Sequence, residues 1–91
     1  MIAKATTANV TMTSADTEYS YTFPAGTQKF SIKLRALNAL LKVAFASGTS
    51  GSTYFTIPYG DILVMEAKIG GSTIYFQSPT ASQVAEIQTW K

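Results

Sequence analysis

The chain of 91 residues contains no cysteine and no histidine. Without thiols no disulfide can brace the fold and no thiolate nucleophile exists. Without imidazole as well, the usual zinc, iron and copper ligand sets cannot be assembled, and Ser/His or Cys/His nucleophile pairs are excluded. Acids are scarce: Asp16, Glu18, Asp61, Glu66 and Glu86 are the full set, and they are scattered. A glycosidase-type pair needs two carboxyls roughly 5 to 9.5 Å apart in a substrate cleft, which a domain this small rarely holds. Gly48 and Gly51 lie in a Ser/Thr-rich loop without the Lys-Ser/Thr ending of a phosphate loop. These absences lead us to expect a protein that is not an enzyme and takes no metal and no cofactor.

Charge is scarce too. Charged residues are 13% of the chain against 46% hydrophobic, a low density for a small domain that shows most of its surface to water, so part of the uncharged surface is expected to meet another protein. The net charge of +2 is too mild for a nucleic-acid partner, which calls for a dense Lys/Arg stripe. No apolar run approaches membrane-spanning length, and Met1-Ile2-Ala3-Lys4 does not lead into the apolar core of a signal peptide. The expectation is a soluble product made in the cytoplasm, with no membrane partner. A chain of this size buries only about two-thirds of its unfolded surface, enough for one core and not for two.

What the sequence does contain is a turn phrase that occurs twice, Thr22-Phe23-Pro24-Ala25-Gly26-Thr27 and Thr56-Ile57-Pro58-Tyr59-Gly60-Asp61, each time between runs with apolar residues at every second position. Pro fixes φ for the first corner of a β-turn, Gly accepts the conformation at its exit, and the alternation gives each flanking strand one face to bury. Tyr19, Tyr21 and Phe23 share one face; after the turn, Phe30, Ile32 and Leu34 point inward and Lys29, Ser31, Lys33 and Arg35 outward. The two runs read as a hairpin. Leu34 to Phe45 fits an amphipathic helix through Leu34, Leu37, Leu41 and Ala44, but the alternation of Leu41, Val43 and Phe45 and a turn at Asn38 favour strand, turn, strand.

Ser47 to Thr53 reads as an exposed, flexible loop, and Tyr54 to Ile57 as a short strand. Ile62 to Ala67 is apolar on both faces, so it is either a central strand or one covered by a partner. Gly70-Gly71 predicts a tight hairpin into Thr73 to Gln77, and Ser78-Pro79-Thr80 separates that strand from the last, Val84 to Trp90. Residues 1–15 are dominated by Ala, Thr, Ser and Asn, with only Val10 and Met12 alternating; they read as an edge strand or as an arm that orders on a neighbouring subunit, preceding a domain over 16–91. The sum is an all-β antiparallel sandwich, jelly-roll-like, of about eight strands.

Candidate binding residues follow from this layout. Lys29, Lys33 and Arg35 form a basic ladder on one strand, the first two about 13 Å apart, which either keeps an open face soluble or docks on an acidic protein surface. Tyr59 at a turn tip and Trp90 beside the C-terminal Lys91 are aromatics that the chain's own core can hardly enclose, so each is a candidate interface anchor. Exposed aromatics on a sandwich also make platforms for sugar rings.

The segments Tyr19-Ser-Tyr-Thr-Phe-Pro-Ala-Gly-Thr-Gln-Lys-Phe, Leu40-Leu-Lys-Val-Ala-Phe, Tyr54-Phe-Thr-Ile-Pro-Tyr-Gly-Asp, Ile74-Tyr-Phe-Gln-Ser-Pro-Thr-Ala and Val84-Ala-Glu-Ile-Gln-Thr-Trp resemble small virion-associated proteins of tailed bacteriophages. The resemblance spans about residues 19–90. It implies a β-sandwich that decorates or cements a capsid, often as a trimer, without enzymatic activity, located on the virion surface with the major capsid protein as partner. On that reading Val10, Met12, Tyr59 and Trp90 are expected among the contact residues, with Lys29, Lys33 and Arg35 facing acidic capsid patches. The alternative is a carbohydrate- or receptor-binding module of a phage fibre.

Overall fold

Wherever apolar and polar residues alternate with period two, the backbone is extended. A computed structural model describes residues 5–91, and these form eight strands: β1 (Ala5–Met12), β2 (Tyr19–Thr22), β3 (Lys29–Leu34), β4 (Leu41–Ala44), β5 (Phe55–Ile57), β6 (Ile62–Glu66), β7 (Thr73–Gln77) and β8 (Gln83–Trp90). They make two antiparallel sheets with strand orders β1-β8-β3-β6 and β2-β7-β4-β5. No helix occurs among the described residues, so Leu34 to Phe45 is strand, turn and strand.

The pairs β1·β8, β2·β7, β3·β6 and β4·β5 are those of a single long antiparallel hairpin whose tip joins β4 to β5. Rolling that ribbon on itself adds the pairs β3·β8 and β4·β7. The result is a jelly roll. Its inner faces supply the core: Phe30, Ile32, Leu34, Ala85, Ile87 and Met12 from the first sheet, and Leu41, Val43, Ile57, Ile74 and Phe76 from the second. Phe23 lies at the crossing from one sheet to the other, its ring centroid 4.7 Å from that of Phe30.

The ribbon keeps its hydrogen bonds where it changes sheet. Between β2·β7 and β3·β6, Phe23 N–H donates to Ser72 O, Gly71 N–H to Phe23 O, Ile69 N–H to Thr27 O and Ala67 N–H to Gln28 O, at 2.8 to 3.1 Å. The corner is closed by turns on both chains, with Thr27 N–H donating to Pro24 O and Ser72 N–H to Ile69 O. Gly26 and Gly71, third in these turns, have φ of 83° and 84°, the left-handed value that a type II turn requires there. Gly70 is glycine for a different reason. A Cβ at that position would stand 2.5 Å from Gly26 N and 3.1 Å from Pro24 O, so the two corner segments touch backbone to backbone.

Several expectations change. The turn at Pro24–Gly26 does not close a hairpin, because β2 and β3 lie in different sheets; Gly70-Gly71 likewise carries the chain from β6 to β7 across the sandwich. Pro24 and Pro58 occupy the first position of their turns, with Thr27 N–H and Asp61 N–H returning to their carbonyls, so Ala25 and Tyr59 take the corner assigned to proline. Both copies of the turn phrase perform the same task, taking the chain from the second sheet to the first. The N-terminal segment is no separate arm: β1 is an edge strand paired with β8 over its full length, and Met1 to Lys4 lie outside the described residues. Gly70→Ala is expected to cost about 1–3 kcal/mol through overpacking of this corner, lowering the melting temperature by several degrees. A thermal melt followed by circular dichroism checks it; an unchanged midpoint would contradict the close approach.

Candidate protein-docking edge

The rolled hairpin leaves β5 and β6 as the outer strands of their sheets, side by side. Among the described residues, all the exposed large hydrophobic side chains belong to this tip half of the ribbon: Leu37, Phe45, Tyr54, Phe55, Tyr59, Ile62 and Val64. Phe55 lies opposite Val43 in the ladder and so faces the interior side of its sheet. Val43 is fully buried, yet Phe55 is 59% exposed, because no strand closes the gap between β5 and β6. A notch of about 310 Å³, lined by Phe55, Pro58, Ile62, Leu63 and neighbouring residues, opens there. Ile62 and Val64 project from the opposite, outer face of β6. At the end of the notch stands the Pro58–Asp61 turn, with Tyr59 65% exposed and Leu37 Cδ2 lying 3.7 Å from the place a Cβ on Gly60 would take.

The other anticipated contact residues are placed differently. Met12 is a core residue at 1% exposure and Val10 packs against that core; their alternation reports inward packing, which removes Met12 from any contact surface. Lys29, Lys33 and Arg35 do share the outer face of the first sheet, but none of them is a free charge. Arg35 Nε is 2.8 Å from Glu86 Oε2, Lys33 Nζ 3.1 Å from Glu86 Oε1, and Lys29 Nζ 3.8 Å from Glu66 Oε1. The basic ladder is therefore paired within the chain, three cations against the two carboxylates of Glu66 and Glu86. These exposed pairs contribute little to stability individually. Trp90 is half-buried on the same face, with the Lys29 ammonium 5.2 Å from its ring centroid. Of the seven anticipated positions, only Tyr59 belongs to the exposed apolar edge.

The sequence reading missed Leu37, Phe45, Phe55, Ile62 and Val64 as surface residues. The signal present was the double-sided apolar character of Ile62 to Ala67, of whose two readings the structure excludes the central one: β6 is an edge. That strand has few of the devices that protect an edge, with no proline or bulge and Glu66 as its one charge.

The hairpin tip is held down, in contrast to the flexible loop expected for Ser47 to Thr53. Glu18, just before β2, accepts hydrogen bonds from Gly48 N–H (2.8 Å), Ser50 N–H (3.1 Å) and the Ser50 hydroxyl (2.6 Å). Ser50 is fully buried and also meets the Gln77 amide oxygen at 3.1 Å. The Ser50 hydroxyl, followed by the Gly48 amide, holds the Glu18 carboxyl below its ordinary value of 4.5, against an opposing cost of desolvation. Arg35 and then Lys33 lower that of Glu86 in the same way. Among the described residues no three acids gather into a metal-binding group, and no helix is long and apolar enough to cross a membrane.

Comparison with protein-family models, with curated proteins and with solved structures returned no match.

A carboxylate with a lowered folded pKa stabilises the fold fully above its unfolded value, and that contribution is lost as pH falls through the folded value. Amide exchange at Gly48 and Ser50, read between pH 6 and pH 3 by NMR and corrected for intrinsic rates, should therefore accelerate toward the acid end. In Glu18→Gln these two amides should exchange faster at pH 6 while the core strands keep their protection. Equal protection in the variant would contradict the pinning role.

Proposed function

We propose that this protein is a structural adhesion module, a capsid decoration or cement protein that binds the outer surface of a phage head and reinforces it. The observation that carries this reading is the one-sided placement of exposed apolar surface on the β5–β6 edge and its adjoining corner. The resemblance in residues 19–90 and the jelly-roll architecture support it, since such sandwiches serve as capsid and lectin domains. The partner is the major capsid protein. Leu37 and Tyr59 supply the contact at the corner, where an aromatic ring with only two torsions to freeze is an economical anchor.

Work of this kind is mechanical. Individual contacts near the weak end of the range, below about 1,200 Å², become effectively permanent when many copies act on one rigid shell. Added contacts between neighbouring capsid subunits oppose the pressure of packaged DNA. A rigid, hydrogen-bonded body suits this task, because a strut transmits load only if it does not deform.

A second reading draws on Tyr59 alone: a largely exposed ring at a turn tip also offers a stacking surface to a sugar, as in a receptor-binding module of a fibre. One experiment separates the two. The double variant Leu37→Ser, Tyr59→Ala should lower binding to purified heads that lack a decoration layer by about 30-fold or more, the effect of losing a hot spot of about 2 kcal/mol, with no change in the melting curve. Full occupancy by the variant would reject the assignment. Binding of the wild-type domain to a glycan array with no affinity for heads would favour the fibre reading instead.

A further inference from the structure

We propose that β6 is a self-association edge, on which a second copy of this chain pairs antiparallel about a two-fold axis at Val64. The backbone geometry comes first. Ala67 N–H and Ile69 N–H donate across to Gln28 and Thr27 at the corner, and successive residues of a strand turn their N–H and C=O groups to opposite sides. Met65 and Leu63 therefore face β3, while Ile62, Val64 and Glu66 direct their backbone groups out of the sheet. Ile62 agrees with this assignment, since its N–H has left the ladder and donates to Asp61 Oδ1 at 2.8 Å.

An axis perpendicular to the sheet at Val64 sets Val64 against Val64 and Ile62 against Glu66 of the second copy. All three positions are then hydrogen-bonded pairs, as their outward-facing groups require. The axis keeps outer face on outer face, so Val64 meets its own copy with Ile62 alongside, covering apolar side chains that are about half exposed in the single chain. In this register Asp61 falls opposite Ala67 of the second copy, and on pairing its carboxylate gives up Ile62 N–H to the Glu66 carbonyl of that copy. Glu66 already has Lys29 within its own chain.

The alternative edge fits less well. The outer residues of β1 are Ala5, Thr7, Asn9 and Thr11, which offer no apolar match to Ile62 and Val64. A head-to-tail contact of that kind would also build a ring or an open filament rather than a closed pair. Pairing β6 with its own copy joins two four-stranded sheets into one of eight strands and leaves the Leu37–Tyr59 corner of each copy as a separate surface. The inference stands independently of the capsid reading.

Light scattering coupled to size exclusion at about 100 µM tests it, a concentration at which a pair held as tightly as typical small interfaces is assembled. The expected mass is twice the 9.8 kDa of the chain, falling to the single-chain mass in Val64→Lys with unchanged circular dichroism and melting. Since the chain has no cysteine, Val64→Cys gives an independent readout. Hydrogen-bonded antiparallel pairs hold their Cα atoms about 5.5 Å apart, within disulfide range, so mild oxidation should yield a covalent pair from Val64→Cys and none from Thr7→Cys. A wild-type monomer or trimer at this concentration, or preferential cross-linking through Thr7→Cys, would overturn the proposal.

Discussion

The backbone hydrogen bonds that join residues 23–28 to residues 67–72 are the interaction on which the rest of the structure depends. They carry an antiparallel ladder around the turn from one sheet to the other, so β2·β7 and β3·β6 are two stretches of one ribbon. Gly70 makes this possible by lying against the backbone of Gly26 where a side chain would collide. With no cysteine in the chain, the fold has no disulfide to fall back on. What holds it is this continuous ladder together with the wedge of Phe23 and Phe30 that fills the bend.

Rolling a single hairpin also distributes the surface. The base of the ribbon, β1 and β2, shows mainly small polar side chains such as Thr7, Thr11, Ser20 and Thr22, whereas the tip half shows aromatic and branched aliphatic ones. Between them, the outer face of the first sheet carries its cations already matched to Glu66 and Glu86. One side of the molecule is thus polar, with its charges paired, and the other exposes apolar side chains. That asymmetry is the feature of the structure on which the proposed adhesive role rests.

The strands were legible in the sequence because period-two alternation states directly which side of a backbone is buried. Phe30, Ile32 and Leu34 point inward as their spacing requires. Pairing was not legible. A turn phrase such as Phe23-Pro24-Ala25-Gly26 bends the chain identically whether the next strand stays in the sheet or crosses to the other, and only contacts with Gly70 and Ile69, more than forty residues away, decide between them. The hairpin tip was misjudged for a similar reason: Ser50 is polar in a Gly/Ser/Thr run, and its burial depends on Glu18, 32 residues distant. Charge pairing escaped notice because Glu86 looks isolated in sequence while the β3·β8 register sets it directly opposite Lys33. The exposed edge was half visible, since apolar residues on both faces of Ile62 to Ala67 fit either of two positions in a sheet.

Hydrogen exchange of individual amides, measured by NMR on the native protein, tests the central claim most directly. If the ladder continues through the corner, the amides of Phe23, Ala67, Ile69 and Gly71 exchange as slowly as those within β3 and β7, because opening them requires parting the two sheets. Exchange at these four positions within the first minutes, with protection kept in the strands, would show that the sheets are joined by ordinary loops and would contradict the account.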